Sequence, residues 1–473
     1  MKKTIIKIGY CPTRRDLFSR EEAIKYAKKI RDIISQFDIE IVDLYGINEE
    51  GLLYSDSDLK KAIKLFSSEE VDALFFPHCN FGSEALVSQL AKELSLPVLL
   101  WGPRDDAPLN NGMRTRDSQC GLFATGKVLR RYNVPFTYLT NSWVDSKEFK
   151  AGFQRFLAVS SVVKAMKNLR ILQISTRPEP FCSVMCNENE LLERFGVQLY
   201  PITLTEITAE MEKILNENSD ELKATVKFIK ENISKDSPDS QITKTAALKM
   251  AIGAKADFYG CRAAAIQCWN ALQDITGIMP CLANSLLADE GFPVACETDI
   301  HGAITAVMVQ AAAMNEKPQF FADITVRHPE DDNSELLWHC GAFPYSLARN
   351  KNTARAGEHW VLPSKAYGTC MWEIKGGRVT IARFDGDHGN YSLFVGEAEG
   401  TEGPETGGSY LWIKVGDWPK WEHKLVTGPY IHHVVGIHGE YCEILTEACK
   451  YLNNLIPDPV EPTLLELEKR WRQ

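Results

Sequence analysis

The sequence predicts an α/β protein: two doubly wound α/β domains followed by a mainly antiparallel, β-barrel-like C-terminal domain. Three observations lead to this fold class. Short apolar runs alternate with amphipathic helical segments up to about residue 326, which is typical of parallel sheets covered by helices on both faces. From about residue 327, closely spaced strand patterns replace the helices. The length of 473 residues also suits three domains of about 100–200 residues each.

The first predicted domain covers residues 1–165. Apolar runs predict strands at residues 4–10, 39–44, 71–77, 97–101 and 135–139, and helices at residues 19–37, 84–94 and 118–132. Ser19 is placed to cap the first helix, with Glu22 three residues on as its capping-box partner. Because parallel sheets bind ligands at the carboxyl ends of their strands, the loops at residues 11–15, 78–83 and 102–116 are candidate binding loops.

The central predicted domain covers residues 166–326 and is expected to carry the metal-binding acids. It opens with a strand at residues 169–175, and helical segments follow at residues 188–195, 206–216, 221–233 and 243–255. A further strand–loop unit opens at residues 256–260. A short buried strand at residues 293–296 precedes a helix at residues 300–314, and a strand at residues 320–326 closes the domain.

The C-terminal predicted domain covers residues 327–473 and is expected to carry a metal-binding histidine. Strands are predicted at residues 371–375, 378–384, 391–400 and 409–415. Glycine pairs at Gly376-Gly377 and Gly407-Gly408 are hairpin signals between them. Two helices, at residues 440–455 and 463–471, close the chain. This pattern favours an antiparallel, barrel-like β domain.

Composition excludes several classes of protein. Hydrophobic residues make up 44% and charged residues 25%, as in ordinary globular enzymes. A net charge of −10 argues against binding nucleic acid or anionic membranes by bulk attraction. Lys7 interrupts the first apolar run, which predicts a buried strand rather than an export signal. The 13 cysteines have no framework spacing, so we expect reduced thiols and a cytoplasmic location.

The segment FPVACETDIHG concentrates polar groups within apolar surroundings. Glu297 ends an apolar strand, Asp299 and His301 follow at alternate positions, and an apolar helix begins at once. Carboxylates at this place in an α/β fold are often catalytic. Asp299 is equally explained as the helix N-cap, and His301 as a first-turn contact. Glu297 is harder to explain structurally, because a cap needs no second acid two residues earlier.

A second set of candidates lies further along the chain. Asp323 interrupts the apolar strand FFADITV, where a charge is costly unless it is paired or bound to a cation. His432 and His433 are adjacent in YIHHVVG, and His339 lies in LLWHCGAFP. Two acids with one or two imidazoles would suit Mn²⁺, Co²⁺, Mg²⁺ or Fe²⁺ rather than a thiolate zinc site. A divalent cation would also relieve the repulsion between the acids.

Motif searches weigh against other chemistries. The sequence contains no GxxxxGK[ST] phosphate loop, no GxGxxG after a strand and no GxSxG nucleophile elbow. Nucleotide chemistry and serine hydrolysis are therefore disfavoured.

At these positions the sequence resembles the L-fucose isomerase and L-arabinose isomerase superfamily, in its shorter fucose isomerase-like branch. The resemblance covers nearly the whole chain in order. IGYCPTRR resembles the family's opening strand and arginine loop, and FFPHCNFGSE resembles a turn of its first domain. The three metal-binding segments of the family resemble, in order, ACETDIHGA, FFADITV and YIHHVVG. LLWHCGAFP resembles the segment in which arabinose isomerases add a fourth ligand. Cys79 or Asn80 stands where the fucose enzymes have a sugar-capping aromatic, which indicates a remodelled pocket.

The resemblance implies an aldose–ketose isomerase that acts on an open-chain sugar through a cis-enediol(ate). Glu297, Asp323 and His433 would hold Mn²⁺ (or Co²⁺ or Mg²⁺), with the two acids also transferring the proton. His432 and His339 would lie next to the metal or the substrate. The family arrangement also implies a homo-oligomer, either a hexamer or a trimer-based assembly, whose active sites lie at subunit interfaces.

Four further residues are candidate substrate contacts. Gln267 and Trp269 in IQCWNAL offer an amide for hydroxyl groups and an indole for the apolar face of a sugar. Arg14 and Arg15 belong to a group of first-domain arginines that could bind an anionic sugar. The expected substrate is an L-fucose-like or D-arabinose-like sugar or a modified, anionic hexose. Two alternatives remain: a non-catalytic sugar-binding module, and a metal-independent racemase with a pair of cysteine bases.

Overall fold

A computed structural model describes residues 3–234, 237–359 and 366–461. The chain forms two compact units. We call Thr4–Lys164, with Lys450–Leu452, the first unit, and Ala165–Cys449, with the described residues from Asn453 on, the second unit. The second unit contains both the central and the C-terminal regions predicted above, and the division into three domains stays a prediction.

The first unit contains a five-stranded parallel sheet of order β2-β1-β3-β4-β5. Its strands are β1 (Ile6–Tyr10), β2 (Ile39–Val42), β3 (Ala73–Pro77), β4 (Val98–Trp101) and β5 (Thr137–Tyr138). Its helices are α1 (Arg20–Ile34), α2 (Asp56–Ser68), α3 (Glu84–Leu94), α4 (Ser118–Arg131) and α5 (Lys147–Met166). All residues of β3 and β4 are buried, which explains why these strands read as continuous apolar runs.

Ser19 caps α1 as predicted, because its side chain accepts a hydrogen bond from the backbone N–H of Glu22. Its hydroxyl in turn donates to Glu21 rather than pairing with Glu22. The helix ends at Ile34, three residues before the predicted end.

The second unit begins with a four-stranded parallel sheet of order β7-β6-β8-β9. The strands are β6 (Arg170–Ile174), β7 (Gln198–Ile202), β8 (Ala263–Ile266) and β9 (Val294–Ala295). The helices are α6 (Glu188–Phe195), α7 (Leu204–Glu217), α8 (Asp220–Asn232), α9 (Asp239–Tyr259), α10 (Ala271–Thr276), α11 (Cys281–Glu290) and α12 (Ile300–Ala312). Residues 256–260, predicted to open a strand, instead form the end of α9. Every residue of α12 is buried, in agreement with its apolar sequence.

The rest of the second unit is a β-barrel. Its strands are β10 (Gln319–Arg327), β11 (Ser334–His339), β12 (Arg355–Glu358), β13 (Tyr367–Glu373), β14 (Gly377–Asp387), β15 (Asn390–Thr401), β16 (Ser409–Lys414), β17 (His433–His438) and β18 (Ile456–Pro459), with helices α13 (Trp418–Thr427) and α14 (Cys442–Ala448). Six antiparallel strands run in the order β16-β11-β10-β17-β14-β15, and pairing of β15 with β16 closes the ring. The predicted fold class is therefore confirmed.

Three local predictions for this region need correction. The strand at residues 320–326, expected to close the central domain, lies in the barrel, where β10 pairs with β11 and β17. Gly376-Gly377 joins β13 to β14, which do not pair with each other; β14 forms its hairpin with β15, across a turn at His388 and Gly389. The helix predicted at residues 440–455 is reduced to α14 and a short 3₁₀ turn.

The helix predicted at residues 463–471 lies outside the described residues. Among the helices that the structure describes, none combines the length and the apolar character needed to cross a bilayer.

Candidate functional site

Strand register in the barrel places an aspartate between two histidines. Asp323 on β10 lies directly opposite His433, the first residue of β17. On its other side, Asp323 lies opposite Trp338 of β11, the residue that precedes His339. Side chains on directly opposite residues of adjacent strands lie about 5 Å apart. The antiparallel pairing of three strands thus gathers residues separated by more than a hundred positions in sequence.

Glu297 reaches the same place from the parallel sheet. After β9 the chain makes a tight turn at Cys296–Thr298, in which Glu297 and Thr298 both have φ of 55°. Left-handed backbone costs about 1–2 kcal/mol for each non-glycine residue, so two in succession are unusual. Such strain gathers at functional sites, where a side chain must take a particular direction. Here the turn directs the Glu297 carboxylate to within 2.9 Å of His433.

Four buried atoms face one another at this junction. Glu297 Oε2 lies 2.9 Å from His433 Nε2, and Asp323 Oδ1 lies 3.4 Å from the same nitrogen. Asp323 Oδ1 also lies 4.0 Å from His339 Nε2. Within the described structure, none of these four atoms makes a hydrogen bond of acceptable geometry. A single buried polar atom without a partner costs about 1–3 kcal/mol, so four together indicate a site built to receive a ligand.

The charges at the site favour a positively charged group there. Burial opposes ionisation of Glu297, but the imidazoles of His433 and His339 outweigh it and lower the pKa of that carboxyl. For Asp323 burial dominates and raises the pKa to about 6. Burial also disfavours charged imidazoles, yet the neighbouring carboxylates raise the pKa of His433 to about 9 and that of His339 to about 10. The acids therefore draw positive charge to this point even against the cost of burial.

The donor set fits a divalent cation that takes oxygen and nitrogen ligands. Ligands about 2.1 Å from an ion lie about 3 Å apart when adjacent, which matches the contacts of His433 Nε2 with the two acids. Ligand atoms of Asp323, His432 and His433 also lie within 4.8 Å of one another. The site thus offers Glu297, Asp323 and His433, as predicted from the sequence, and brings His432 into the same group. Which of these residues bind an ion stays a prediction.

His339 differs from His433 in the hydrogen bond that its Nδ1 makes. Its Nδ1 accepts a hydrogen bond from the backbone N–H of Cys340 at 2.9 Å. The proton of a neutral ring must then lie on Nε2, the nitrogen that faces Asp323. In this arrangement His339 is a hydrogen-bond donor through Nε2, which suits contact with a substrate oxygen better than ligation of a metal.

Asp299 is the N-cap of α12, one of the two interpretations that the sequence left open, and it also contacts a candidate metal ligand. It caps α12 by accepting from the backbone N–H of Gly302 at 2.9 Å. It also lies 2.9 Å from Nδ1 of His433 and is paired with Arg383. These partners outweigh the burial of Asp299 and lower the pKa of that carboxyl. A carboxylate that holds the far nitrogen of a ligating histidine is a common support of metal sites.

Sequence reasoning missed Arg383. It lies in the middle of β14 and is fully buried between Asp299 and Asp385, while Asp385 Oδ1 lies 2.7 Å from Nδ1 of His301. The available signal was the same one that marked Asp323, a charge inside an apolar strand, here VTIARFDG. His301, treated above as a first-turn contact, is the end of this buried network.

Two predicted pocket residues follow β8. Gln267 is half-buried, and its Oε1 accepts a hydrogen bond from Ser175 Oγ at 2.7 Å. Trp269 is also half-buried and packs edge-on against Phe181, with ring centroids 5.5 Å apart. Its Nε1 is buried and makes no hydrogen bond within the described structure. Trp269 therefore retains a donor for a ligand, whereas Gln267 already has one partner; their contact with substrate stays a prediction.

The two predicted arginines belong to the first unit. Arg14 is nearly buried, donates from Nε to Glu50 at 2.6 Å, pairs with Asp16 and covers the ring of Tyr54. Its charge is thus used within the unit. Arg15 donates to the backbone carbonyl of Gly82 and lies over the ring of Phe81, and its guanidinium lies 3.6 Å from the carboxylate of Glu84. Its side chain is 37% exposed, more than that of Arg14. Of the two, Arg15 is better placed to meet an anion.

Two cysteines that could serve as opposed bases, Cys79 and Cys186, have pKa values shifted away from ionisation. Burial raises the pKa of Cys79 well above its ordinary value and that of Cys186 to about 12. A proton-abstracting thiol needs the opposite shift. The racemase alternative gains no support from these groups.

Comparisons with known proteins agree with this architecture. Residues 9–167 match the family described as "Fucose/sulfoquinovose isomerase, N-terminal domain", and residues 337–456 match "L-fucose isomerase, C-terminal domain". A sulfoquinovose isomerase of Priestia aryabhattai is 27% identical over 434 residues, which is 88% of this chain and 95% of the relative. A sulfoquinovose isomerase of Alkalicoccus urumqiensis is 27% identical over 355 residues, covering 75% of this chain and 78% of the relative.

Among solved structures, a periplasmic solute-binding protein of Actinobacillus succinogenes with bound D-allose aligns with a TM-score of 0.17 and 13% identity, over 65% of this chain and 92% of that one.

A parallel α/β sheet joined to a closed antiparallel barrel, with matched isomerase domains at both ends, defines a sugar isomerase that interconverts aldoses and ketoses. The chain belongs to the fucose isomerase-like family.

Proposed function

We propose that this isomerase depends on a divalent metal, Mn²⁺ in the first place and Co²⁺ or Mg²⁺ as alternatives. We further propose that it converts an open-chain aldose into its ketose through a cis-enediol(ate). One observation carries the proposal: buried atoms of Glu297, Asp323 and His433 converge to 2.9 and 3.4 Å without hydrogen bonds to one another. A bound cation would supply a Lewis acid that stabilises the charge developing on O1 and O2 of the sugar.

The environments of the two acids support separate roles in proton transfer. Glu297 is held ionised by the neighbouring imidazoles, whereas burial raises the pKa of Asp323 to about 6. Paired groups whose pKa values are pushed apart in this way commonly act as base and acid. Glu297 would take the proton from C2 and Asp323 would deliver a proton to C1, while the hydroxyl proton on O2 passes to O1. Proton exchange with water would then return Glu297 to its ionised form and Asp323 to its protonated form. His433 would hold the ion, and His339 would donate a hydrogen bond to a substrate oxygen.

For the substrate, we propose an anionic hexose such as a 6-sulfonated aldose, with L-fucose and D-arabinose as neutral alternatives. The support comes from the relatives named above, which are sulfoquinovose isomerases, and from the partly exposed guanidinium of Arg15, whose only carboxylate contact among the described residues is an equally exposed pair with Glu84. We propose further that the protein is a cytoplasmic homo-oligomer, and that neighbouring subunits complete each active site. Light scattering after size exclusion tests the assembly, since a fully active monomer would exclude shared sites.

An aldose panel assayed with and without metal tests the catalytic proposal. Protein stripped with EDTA should lose isomerase activity on sulfoquinovose, and added Mn²⁺ should restore it. Turnover in deuterium oxide should label the product at the carbon that receives the proton. Full activity in protein shown by elemental analysis to hold no metal would refute metal dependence. Sugar binding that survives chelation, without turnover under any condition, would favour the binding-module alternative.

A further inference from the structure

A chain of buried ionic hydrogen bonds runs behind His433. Its Nδ1 lies 2.9 Å from Oδ2 of Asp299, which is paired through both oxygens with Arg383. Arg383 Nε donates to Asp385 at 2.8 Å, and Asp385 lies 2.7 Å from His301 Nδ1. All five residues are at most 5% exposed. So much buried charge is costly unless geometry is closely matched, which indicates a specific task.

The acceptors of Asp299 are fully used. A carboxylate offers about four lone-pair sites, and Asp299 receives the N–H of Gly302, two N–H groups of Arg383 and one contact from His433. As an ionised group it can only accept, so the proton of the shared bond lies on Nδ1 of His433. In the neutral ring, the other nitrogen, Nε2, would then keep its lone pair for a cation held together with Glu297 and Asp323.

We propose that Arg383 is a positioning residue. Together with Asp299, Arg383 holds His433 in the tautomer and orientation that present Nε2 to the cation. Arg383 thereby sets the affinity of the site for metal. This inference rests on the proposed function. Asp385 contributes by anchoring the other edge of the guanidinium, and His301 by orienting Asp385. Arg383 itself does not touch the reacting atoms.

Removing Arg383 would take away two of the four groups that donate hydrogen bonds to the fully buried carboxylate of Asp299. The carboxylate would then lose the guanidinium that fixes its position against Nδ1 of His433. Asp299→Asn would reverse the bond to His433, because an amide N–H would face Nδ1 while the amide oxygen could still cap α12. The first change would loosen the orientation of the ring, and the second would place the ring proton on Nε2 and block ligation.

The test measures Mn²⁺ binding to the metal-stripped, full-length protein by titration calorimetry. We expect Asp299→Asn and Arg383→Ala to weaken binding by about ten- to a hundredfold, the usual effect of losing such a support. Arg383→Lys should retain part of the affinity, and millimolar guanidinium should partly rescue Arg383→Ala. Arg349→Gln, which removes an exposed arginine–glutamate pair next to the same barrel, is the matched control and should bind as the wild type does.

A second readout is measured on the wild type itself. Nitrogen NMR of the Mg²⁺-loaded protein, with the signal assigned through His433→Gln, should show a protonated Nδ1 and a metal-bound Nε2. A proton on Nε2, or unchanged Mn²⁺ affinity in both Asp299→Asn and Arg383→Ala, would overturn the inference. A wild type that binds no Mn²⁺, or binds it equally well after Glu297→Gln, would instead refute the proposed function and the inference with it.

Discussion

Glu297→Gln removes one negative charge from the candidate metal site and keeps the size of the side chain. Positive charge at the position of His433 Nε2 lies 2.9 Å from Glu297 and 3.4 Å from Asp323. At an effective dielectric near 20, the two attractions are worth about 6 and about 5 kcal/mol as upper bounds. The substitution therefore removes about half of the attraction. If only half of that loss is realised, Mn²⁺ affinity still falls more than a hundredfold, since each factor of ten is about 1.4 kcal/mol.

Titration calorimetry with Mn²⁺ on metal-stripped protein measures this change. Glu335→Gln is a matched control, because Glu335 is a second buried acid of the same barrel and lies at the opposite end of β11 from His339. It should alter Mn²⁺ affinity by less than twofold. Thermal unfolding should show the same contrast: saturating Mn²⁺ should raise the melting temperature of the wild type and the control, but not that of Glu297→Gln.

Two results would refute this reasoning. Binding of Mn²⁺ by Glu297→Gln within twofold of the wild type would mean that the converging acids do not hold the ion. An equal loss in Glu335→Gln would mean that general weakening of the barrel, rather than the charge at the site, controls binding.

Three further outcomes are expected. Burial raises the pKa of Glu335 from about 4.5 to about 7, so the folded wild type becomes less stable as pH rises through this range. In urea unfolding, the free energy of unfolding of Glu335→Gln relative to the wild type should therefore rise by about 1–2 kcal/mol between pH 4.5 and 7. A difference that stays constant with pH would contradict this. Gly436→Ala should lower the free energy of unfolding in urea by about 1–3 kcal/mol, because its Cβ would lie 2.1 Å from the ring of Phe320. Gly416→Ala is the control and should leave that free energy nearly unchanged, because open space surrounds Gly416. Trp269→Phe should raise KM several-fold with little change in kcat if its indole binds the sugar; an unchanged KM would exclude that role.

The site could be predicted from the sequence where a residue conflicts with its local pattern. Asp323 stands inside an apolar strand, and Glu297 follows one and precedes a helix that Asp299 alone suffices to cap. Burying a carboxylate costs several kcal/mol, so acids at such positions need a compensating partner whatever the fold. The same rule applied to Arg383 would have found it, since it too interrupts an apolar strand.

The partners of these residues could not be predicted in this way. Alternation of apolar and polar residues shows which face of a strand is buried, but not which strand lies beside it. For that reason the sequence predicts that the strand at residues 320–326 closes the central domain, although β10 pairs with β11 and β17 in the barrel. The tight backbone turn at Glu297, with two residues at positive φ, also has no signature in a sequence without glycine there.

By itself, the sequence determined the α/β class, a β-rich C-terminal region and the buried acids that need a compensating partner, because these follow from local period and the cost of burying charge. Only the tertiary structure decided that Asp323 lies opposite His433, that His339 turns its Nε2 toward them and that Arg383 supports Asp299. Those contacts depend on how six strands pair to close the barrel. The strand pairing is selected by packing and hydrogen bonds between residues that lie far apart in the chain.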